Sequence, residues 1–277
     1  MTTKFFFTAT FACAAVLGLG LSAPGCVTTS NVDQAGSSCE DFELDVDKIW
    51  SRTKRGEVRA GMRAFAGESQ LVNVDRIVTK MDAITTDWVM MSRQACKDTF
   101  ERGSMPEEIY VRVSLCLNTA LVQQRTLITA LGEVDRGSYE HIDRAMLDIS
   151  DNIATCQNQA VLAYYKTPEE TSDAAAAQTA DQKTAEARTL LAIGESEKAS
   201  GLLNDAEQAA KKTGDERRAL DISIASCNLA VLQGKYDQAL VYGQPALEVA
   251  RKLGYAIGEA DALTSRCWEA TIVRHSS

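Results

Sequence analysis

Proline is scarce, with four in 277 residues. Proline is the strongest breaker of helices, and the chain is rich in Ala, Leu, Glu, Gln and Lys, so long helices are favoured. Series of alternating β-branched residues are missing too, which speaks against a core built on strands. Histidine is rarer still: His141 and His275 are the only two. No Cys-x-x-Cys accompanies them, so the ligand spacings of a zinc site are absent, and neither metal nor cofactor is expected. The sequence has no Gly-x-Ser-x-Gly, His-Glu-x-x-His, phosphate-binding loop or Gly-x-Gly-x-x-Gly. His141 reads as a solvated residue on the polar side of a short helix. The acid pairs Glu107-Glu108 and Glu169-Glu170 suit helix starts, where they meet the positive end of the dipole. The chain is therefore not expected to be an enzyme. Positive charge is also short, with 29 Lys and Arg against 38 Asp and Glu. Nucleic acid needs a basic face and anionic lipid a basic patch, so neither is expected to be held by charge.

What is present begins with MTTKFFFTATFACAAVLGLGLSAPGC. Lys4 gives a positive start, Phe5 to Leu21 an apolar run, and Ser22-Ala23-Pro24-Gly25 the small residues of a cleavage region. Gly25-Cys26 resembles a bacterial lipobox, in which the cysteine thiol is acylated and becomes the new N-terminus. The departure is Ala23-Pro24, where the family prefers a leucine three residues before the cysteine. Ordinary cleaved secretion and an uncleaved apolar anchor are the alternatives, and each still places the body outside the cytoplasm. Residues 1–25 thus read as a lipoprotein signal, Cys26 as the lipidation site and 26–38 as a small polar tether. Several acyl chains hold a protein to a membrane firmly, one only marginally. Val27 after the cysteine favours the periplasmic side of the outer membrane.

From Glu40 the apolar period is that of helices. Phe42, Val46, Ile49, Trp50, Val58, Met62 and Phe65 fall at spacings near three, four and seven, and Val74, Ile77, Val78, Met81, Ile84, Trp88 and Met91 form one stripe. A stripe of that kind is buried against a partner helix. Gly103 stops this helix, Ser104 is expected to cap the next, and Pro106 sits in its first turn. Val113 to Leu131 carries the return stripe of an antiparallel hairpin, and a shorter helix is expected near Tyr139–Ile149. Residues 39–165 read as a helical bundle. The stretch KTPEETSDAAAAQTAD marks a boundary and a helix entering the next unit.

Beyond it the chain repeats. LLAIGESEKASGLLNDAEQAAKKTGD and LAVLQGKYDQALVYGQPALEVARKLGY align at an offset of 40, which pairs Ala199 with Ala239, Ala206 with Ala246 and Gly214 with Gly254. A helical hairpin of this period with a small residue after the turn is the tetratricopeptide pattern. Gly234, Tyr236, Ala239 and Leu240 carry it best; the copy around Ala199 lacks the aromatic residue. Residues 166–277 are expected to form a short solenoid of this kind, which makes the whole chain all-α. Two and a half units are few, so the array should lean on the bundle or on a partner. Tyr236, Tyr242 and Tyr255 read as repeat packing, with one of them open to a groove. Asn228, Gln233 and Arg266 are the expected partner contacts on a concave face.

Six cysteines remain after Cys13 and Cys26: Cys39, Cys96, Cys116, Cys156, Cys227 and Cys267. In an exported chain they suggest disulfides. Cys96 and Cys116 lie at similar depth when counted from the hairpin turn, so Cys96–Cys116 is one candidate bridge among the 15 pairings of six cysteines, with Cys39–Cys156 as its companion. Cys227 and Cys267 are either bridged or small buried thiols at a helix contact.

The order SCEDFELDVDKIW, DAITTDWVMMSRQACKDTFERGSMPEEIYVRVSLCLNTAL, a later cysteine and then repeats resembles the extracytoplasmic region of transmembrane Ser/Thr protein kinases of the myxobacterial type. The positions that carry it are Cys39, Trp50, Trp88, Arg93, Cys96, Thr99, Arg112, Cys116, Leu117 and Cys156, and it spans roughly residues 38–265. The Gly-rich loop, the Val-Ala-Ile-Lys strand and the His-Arg-Asp loop of a kinase domain are missing. The resemblance implies an extracytoplasmic helical module for protein–protein contact, without phosphorylation. The expected function is a non-enzymatic, lipid-anchored envelope scaffold that binds a protein or peptide. The alternatives are an accessory sensory module for a related kinase pathway and an envelope hydrolase working through carboxylates.

Overall fold

A computed structural model describes residues 39–65, 71–132 and 141–264, and among them every regular element is helical. The residues of the expected signal and tether lie outside these ranges. Helix α1 (Phe42–Trp50) and α2 (Arg52–Phe65) are separated at Ser51, whose backbone is extended. The Ser51 hydroxyl accepts from the Lys54 N–H at 3.1 Å and so caps α2. Helix α3 (Leu71–Cys96) is 26 residues long and widens into a π-helical turn over Lys97–Glu101. Gly103, with φ of 64°, turns the chain, and α4 (Glu107–Leu131) returns along α3.

Both indoles that the pattern marked as core are buried and hydrogen-bonded, as a large ring with one donor requires. Trp50 Nε1 donates to Asp82 at 2.7 Å, and Trp88 Nε1 donates to the carbonyl oxygen of Leu117 at 2.8 Å. Ser104 does not cap α4; its hydroxyl donates to the carbonyl of Asp98, and Pro106 stands at the cap position. The reason is the π turn, which brings the Asp98 carbonyl within reach of Ser104. Helix α5 (Ile142–Thr155) packs on α3 and α4 and runs six residues past the expected end at Ile149. The short α6 (Gln159–Leu162) is capped by Asn158.

Two disulfides hold this part, and their pairing corrects the expected one. Cys39 joins Cys96, and Cys116 joins Cys156. Cys39–Cys156 and Cys96–Cys116 do not form. The Trp88–Leu117 hydrogen bond sets the register of α3 on α4, so Cys116 lies level with a residue near 89. That is about seven residues, or roughly 10 Å along the axis, from Cys96, too far for a bridge. Cys227 is disulfide-bonded as well, and the remaining cysteines, Cys13, Cys26 and Cys267, lie outside the described residues.

After a single 3-10 turn at Pro168–Glu170, the Asp173 carboxylate caps α7 (Ala174–Ala192) by accepting from the Ala176 N–H. Then come α8 (Ser196–Thr213), α9 (Glu216–Leu232), α10 (Tyr236–Leu253) and α11 (Ala256–Thr264). Helices α8 and α10 are 18 residues each and start and end 40 positions apart. Gly194, Gly214, Gly234 and Gly254 each stand at a turn with positive φ, which a residue with a Cβ adopts only under strain. Ala199 and Ala239 are fully buried, as are Ala206 and Ala250. Small side chains at those points let α8 and α10 lie close to their neighbours.

The apolar core does not stop at residue 165. One cluster holds Trp50, Met62, Met81, Trp88, Leu117, Leu127 and Ile153 together with Leu190, Leu191, Ile193 and Leu203 of α7 and α8, and α4 packs directly on α7. No helix among the described residues is long and apolar enough to cross a membrane.

Candidate interaction faces on either side of helix α9

Helix α9 presents two contrasting sides. At 100° per residue, Arg217, Asp221, Ile224 and Asn228 share one face, while Ser226, Leu229, Ala230 and Gln233 share the opposite one. Asn228 and Gln233, expected to act together, are about 140° apart around the helix. Arg266, the third expected contact, lies outside the described residues, as do Cys26 and Cys267.

The first face is filled by the chain itself. Residues following α6 lie against it, and Val161 joins a cluster with Leu220, Ile224, Ala250, Tyr255 and Ala262. The Tyr164 hydroxyl donates to the carbonyl of Leu253 at 3.1 Å, and its ring meets that of Tyr255 at 4.5 Å. The Arg217 guanidinium sits 4.5 Å from the centre of the Tyr165 ring, a favourable cation–π distance. Beside it Arg217 donates to Asp221 at 2.5 Å and to Asp181 at 3.0 Å, and Arg218 donates to Asp181 and to Asp215. Arg217 and Arg218 are both buried. Burial alone would lower the pKa of Arg217, but the carboxylates of Asp221 and Asp181 outweigh it and hold the guanidinium above its ordinary value. Burial also raises the Tyr165 phenol. Farther along, Arg188 of α7 pairs with Asp261 of α11 at 3.3 Å. The Asn228 Oδ1 atom is buried and accepts no hydrogen bond among the described residues.

The other end of the same segment is fixed by Arg112. Its buried guanidinium donates to the carbonyl of Tyr165, to Glu108 at 2.9 Å and to Glu170 at 2.8 Å. Glu170 is held below the usual carboxylate range by the Thr167 N–H it accepts and by Arg112. Residues 161–170 are thus clasped by α4 on one side and by α9 and the turn after α10 on the other. The sequence reading missed this joint. Its one visible signal is Tyr164-Tyr165, an aromatic pair in a stretch otherwise read as the end of a bundle.

The second face of α9 is open. Helices α8 and α10 flank it, and a cleft of about 130 Å³ lies between them, lined by Ser200, Asn204, Gln233, Gln238 and Tyr242 among others. Leu203, Leu229 and Ala230 also border it, but its accessible surface is almost wholly polar. Gln233, Lys235 and Gln238 are exposed, and the Tyr242 ring packs against the Cys227–Ala239 cluster. Of the three repeat tyrosines, Tyr255 is buried, Tyr236 is exposed and Tyr242 lines the cleft. His141 is exposed at the start of α5. Among the described residues no group of three His, Cys, Asp or Glu is placed to hold a metal ion. No protein family, curated protein or solved structure matches the chain.

Proposed function

We propose that the chain is a non-enzymatic, lipid-anchored protein of the cell envelope that serves as a protein–protein interaction scaffold. In this reading the bundle is a rigid base, residues 166–277 form a short tetratricopeptide-like array on it, and acylated Cys26 tethers the whole to the periplasmic side of the outer membrane. The observation that carries it is the pair of helical hairpins offset by 40 residues, which leaves one side of α9 open as a polar cleft while the other side is occupied. The disulfides support an exported location, since such bridges persist in oxidising compartments. The lipobox-like LSAPGC supports the anchor.

The positions shared with kinase extracytoplasmic regions belong to the frame: Cys39, Cys96, Cys116 and Cys156 form the bridges, Trp50 and Trp88 fill the core, and Arg112 clasps the joint. They support a shared scaffold and carry no information on its partner. Crosslinking in intact envelopes followed by purification of the chain tests the reading. A stoichiometric protein partner is expected, and recovery of the chain alone would overturn it. If the partner is a transmembrane kinase, the accessory-module alternative replaces the general one. Intact-mass measurement of the mature chain, with and without reduction, tests the anchor: a mass retaining residue 1 removes the lipoprotein reading.

A further inference from the structure

On the reading of the chain as exported and lipid-anchored, we infer that Cys227 and Cys267 form a third disulfide. It joins two positions one repeat apart, fastens the residues that follow α11 to α9, and closes the end of the array covalently.

The pairing follows first from which cysteines are left. Cys227 is disulfide-bonded and fully buried. Cys39, Cys96, Cys116 and Cys156 are committed to one another, so the partner of Cys227 is Cys13, Cys26 or Cys267. In an exported, lipid-anchored chain Cys13 leaves with the signal, and the Cys26 sulfur carries lipid and has no thiol to oxidise. Cys267 alone remains in the mature protein. A fully paired set of six also suits an oxidising compartment, where an odd thiol stays reactive.

The register of α11 on α9 points the same way. Turns at Gly234 and Gly254 reverse the chain twice, so α9 and α11 run in the same direction. Ala262 of α11 shares an apolar cluster with Leu220 and Ile224 of α9. Gly258 fixes the level: a Cβ there would stand 2.8 Å from a methyl of Leu220, so the missing side chain lets α11 press on α9 at that point. Six residues on, Thr264 at the end of α11 is level with Ser226, next to Cys227. Cys267 comes three residues after Thr264, a reach of at most about 10 Å, and a disulfide joins Cα atoms about 4.4–6.8 Å apart. Cys227 thus waits at the height at which the chain leaves α11.

The bridge would have a defined task. The last unit of a repeat array has a neighbour on one side only. Here the array leans on α4 through α7 at one end, and the bridge ties its other end back to a buried side chain of α9. The reaction takes two protons and two electrons from the two thiols and makes one S–S bond. The electrons reduce the disulfide of an envelope thiol oxidant, which leaves as a dithiol.

The test uses the mature chain purified from envelopes without reductant, its free thiols blocked with N-ethylmaleimide. Trypsin cuts after Arg218, Lys235, Arg266 and Arg274. One species joining residues 219–235 to residues 267–274 is expected, and it should separate into the two peptides on reduction. Blocked Cys227 or Cys267, Cys227 linked to Cys13 or Cys26, or a dimer joined through Cys267 overturns the inference. If Cys39, Cys96, Cys116 and Cys156 are blocked as well, the exported reading falls too; if their bridges are intact, this pairing falls alone. Cys267→Ser is expected to lower the melting temperature of the chain by about 10 °C, since a closed loop of some 40 residues is opened in the unfolded state. A Cys267→Ser chain that melts with the parent would overturn the fastening role.

Discussion

Single residues decide how rigid the joint between the two halves is. Arg112 is 7% exposed and satisfies two carboxylates and a backbone carbonyl at once. Its carboxylate partners Glu108 and Glu170 stay in contact with water, so removing the guanidinium leaves chiefly the Tyr165 carbonyl without its donor. Arg112→Met is expected to lower stability by roughly 1–2 kcal/mol in urea unfolding, the cost of lost charge-assisted hydrogen bonds, with the Tyr164–Tyr255 contact loosened. Arg112→Lys is expected to recover little, because an ammonium group lacks the planar fork that reaches several oxygens. An Arg112→Lys chain as stable as the parent would show that charge alone is enough. Asp143 is a second such point, on the surface. Hydrogen bonds from Arg76 lower its pKa to about 2 against partial burial, and Lys80 adds to the effect. A carboxylate whose folded pKa lies below its unfolded value of about 3.9 stabilises the fold above the latter, and the contribution is lost as pH falls through the folded pKa. The window is therefore from about 4 down to about 2. Because Asp143 is partly exposed, the pair contributes below about 1 kcal/mol after screening. Asp143→Asn is expected to lower stability slightly at neutral pH and to converge on the parent as pH falls below about 2. Unfolding curves taken across that window check both ends.

At the level of elements, the bridges are the clearest case for measurement. Cys116–Cys156 spans 40 residues, and a loop of that length constrains the unfolded chain by about 4 kcal/mol in the entropy model. Replacing both cysteines by serine is expected to lower stability by an amount of that order, and proteolytic mapping without reduction should yield Cys39 linked to Cys96 and Cys116 linked to Cys156. A map joining Cys96 to Cys116 would refute the register of α3 on α4. That register explains what was and was not legible in the sequence. Helices, their apolar stripes and the 40-residue offset could be read because each is a local pattern: Gly194, Gly214, Gly234 and Gly254 mark turns wherever they stand. Disulfide pairing could not, because it depends on how two helices slide past each other, fixed here by Trp88 and a π turn that no composition announces. The contact residues divide the same way. Gln233 was visible as a polar residue at a helix end. Asn228 was grouped with it although five positions put the two on opposite sides of α9, and the role of Tyr164-Tyr165 exists only through Arg217 and Leu253, some 50 and 90 positions away.

Over the whole molecule, the consequence of a shared core is cooperativity. Leu190, Leu191, Ile193 and Leu203 belong to the same apolar cluster as Trp50, Trp88 and Leu127, so α7 buries its apolar residues between α4 on one side and α8 on the other. The clusters that lie wholly within α7–α11 are small and made mostly of alanine, as with Ala180, Ala206, Ala209, Ala210 and Ile222. The clasp on residues 161–170 adds ties of a different kind, through Arg112 on one side and Arg217 and Tyr255 on the other. Two independent domains would unfold in two steps; a continuous core unfolds in one. The described body is therefore expected to melt in a single calorimetric transition whose measured enthalpy equals the enthalpy from its sharpness, with the disulfides intact. A fragment of residues 166–277 made alone is expected to keep helical circular dichroism but to melt broadly and bind a hydrophobic dye, because the stripe on α7 faces water. Adding residues 39–165 as a second fragment should restore the sharp melt, since the missing partner surface returns. Two resolved transitions in the intact chain, or a sharp melt of the isolated 166–277 fragment, would mean that the contact of α4 with α7 is a docking surface between two domains and that α7–α11 stand on a core of their own.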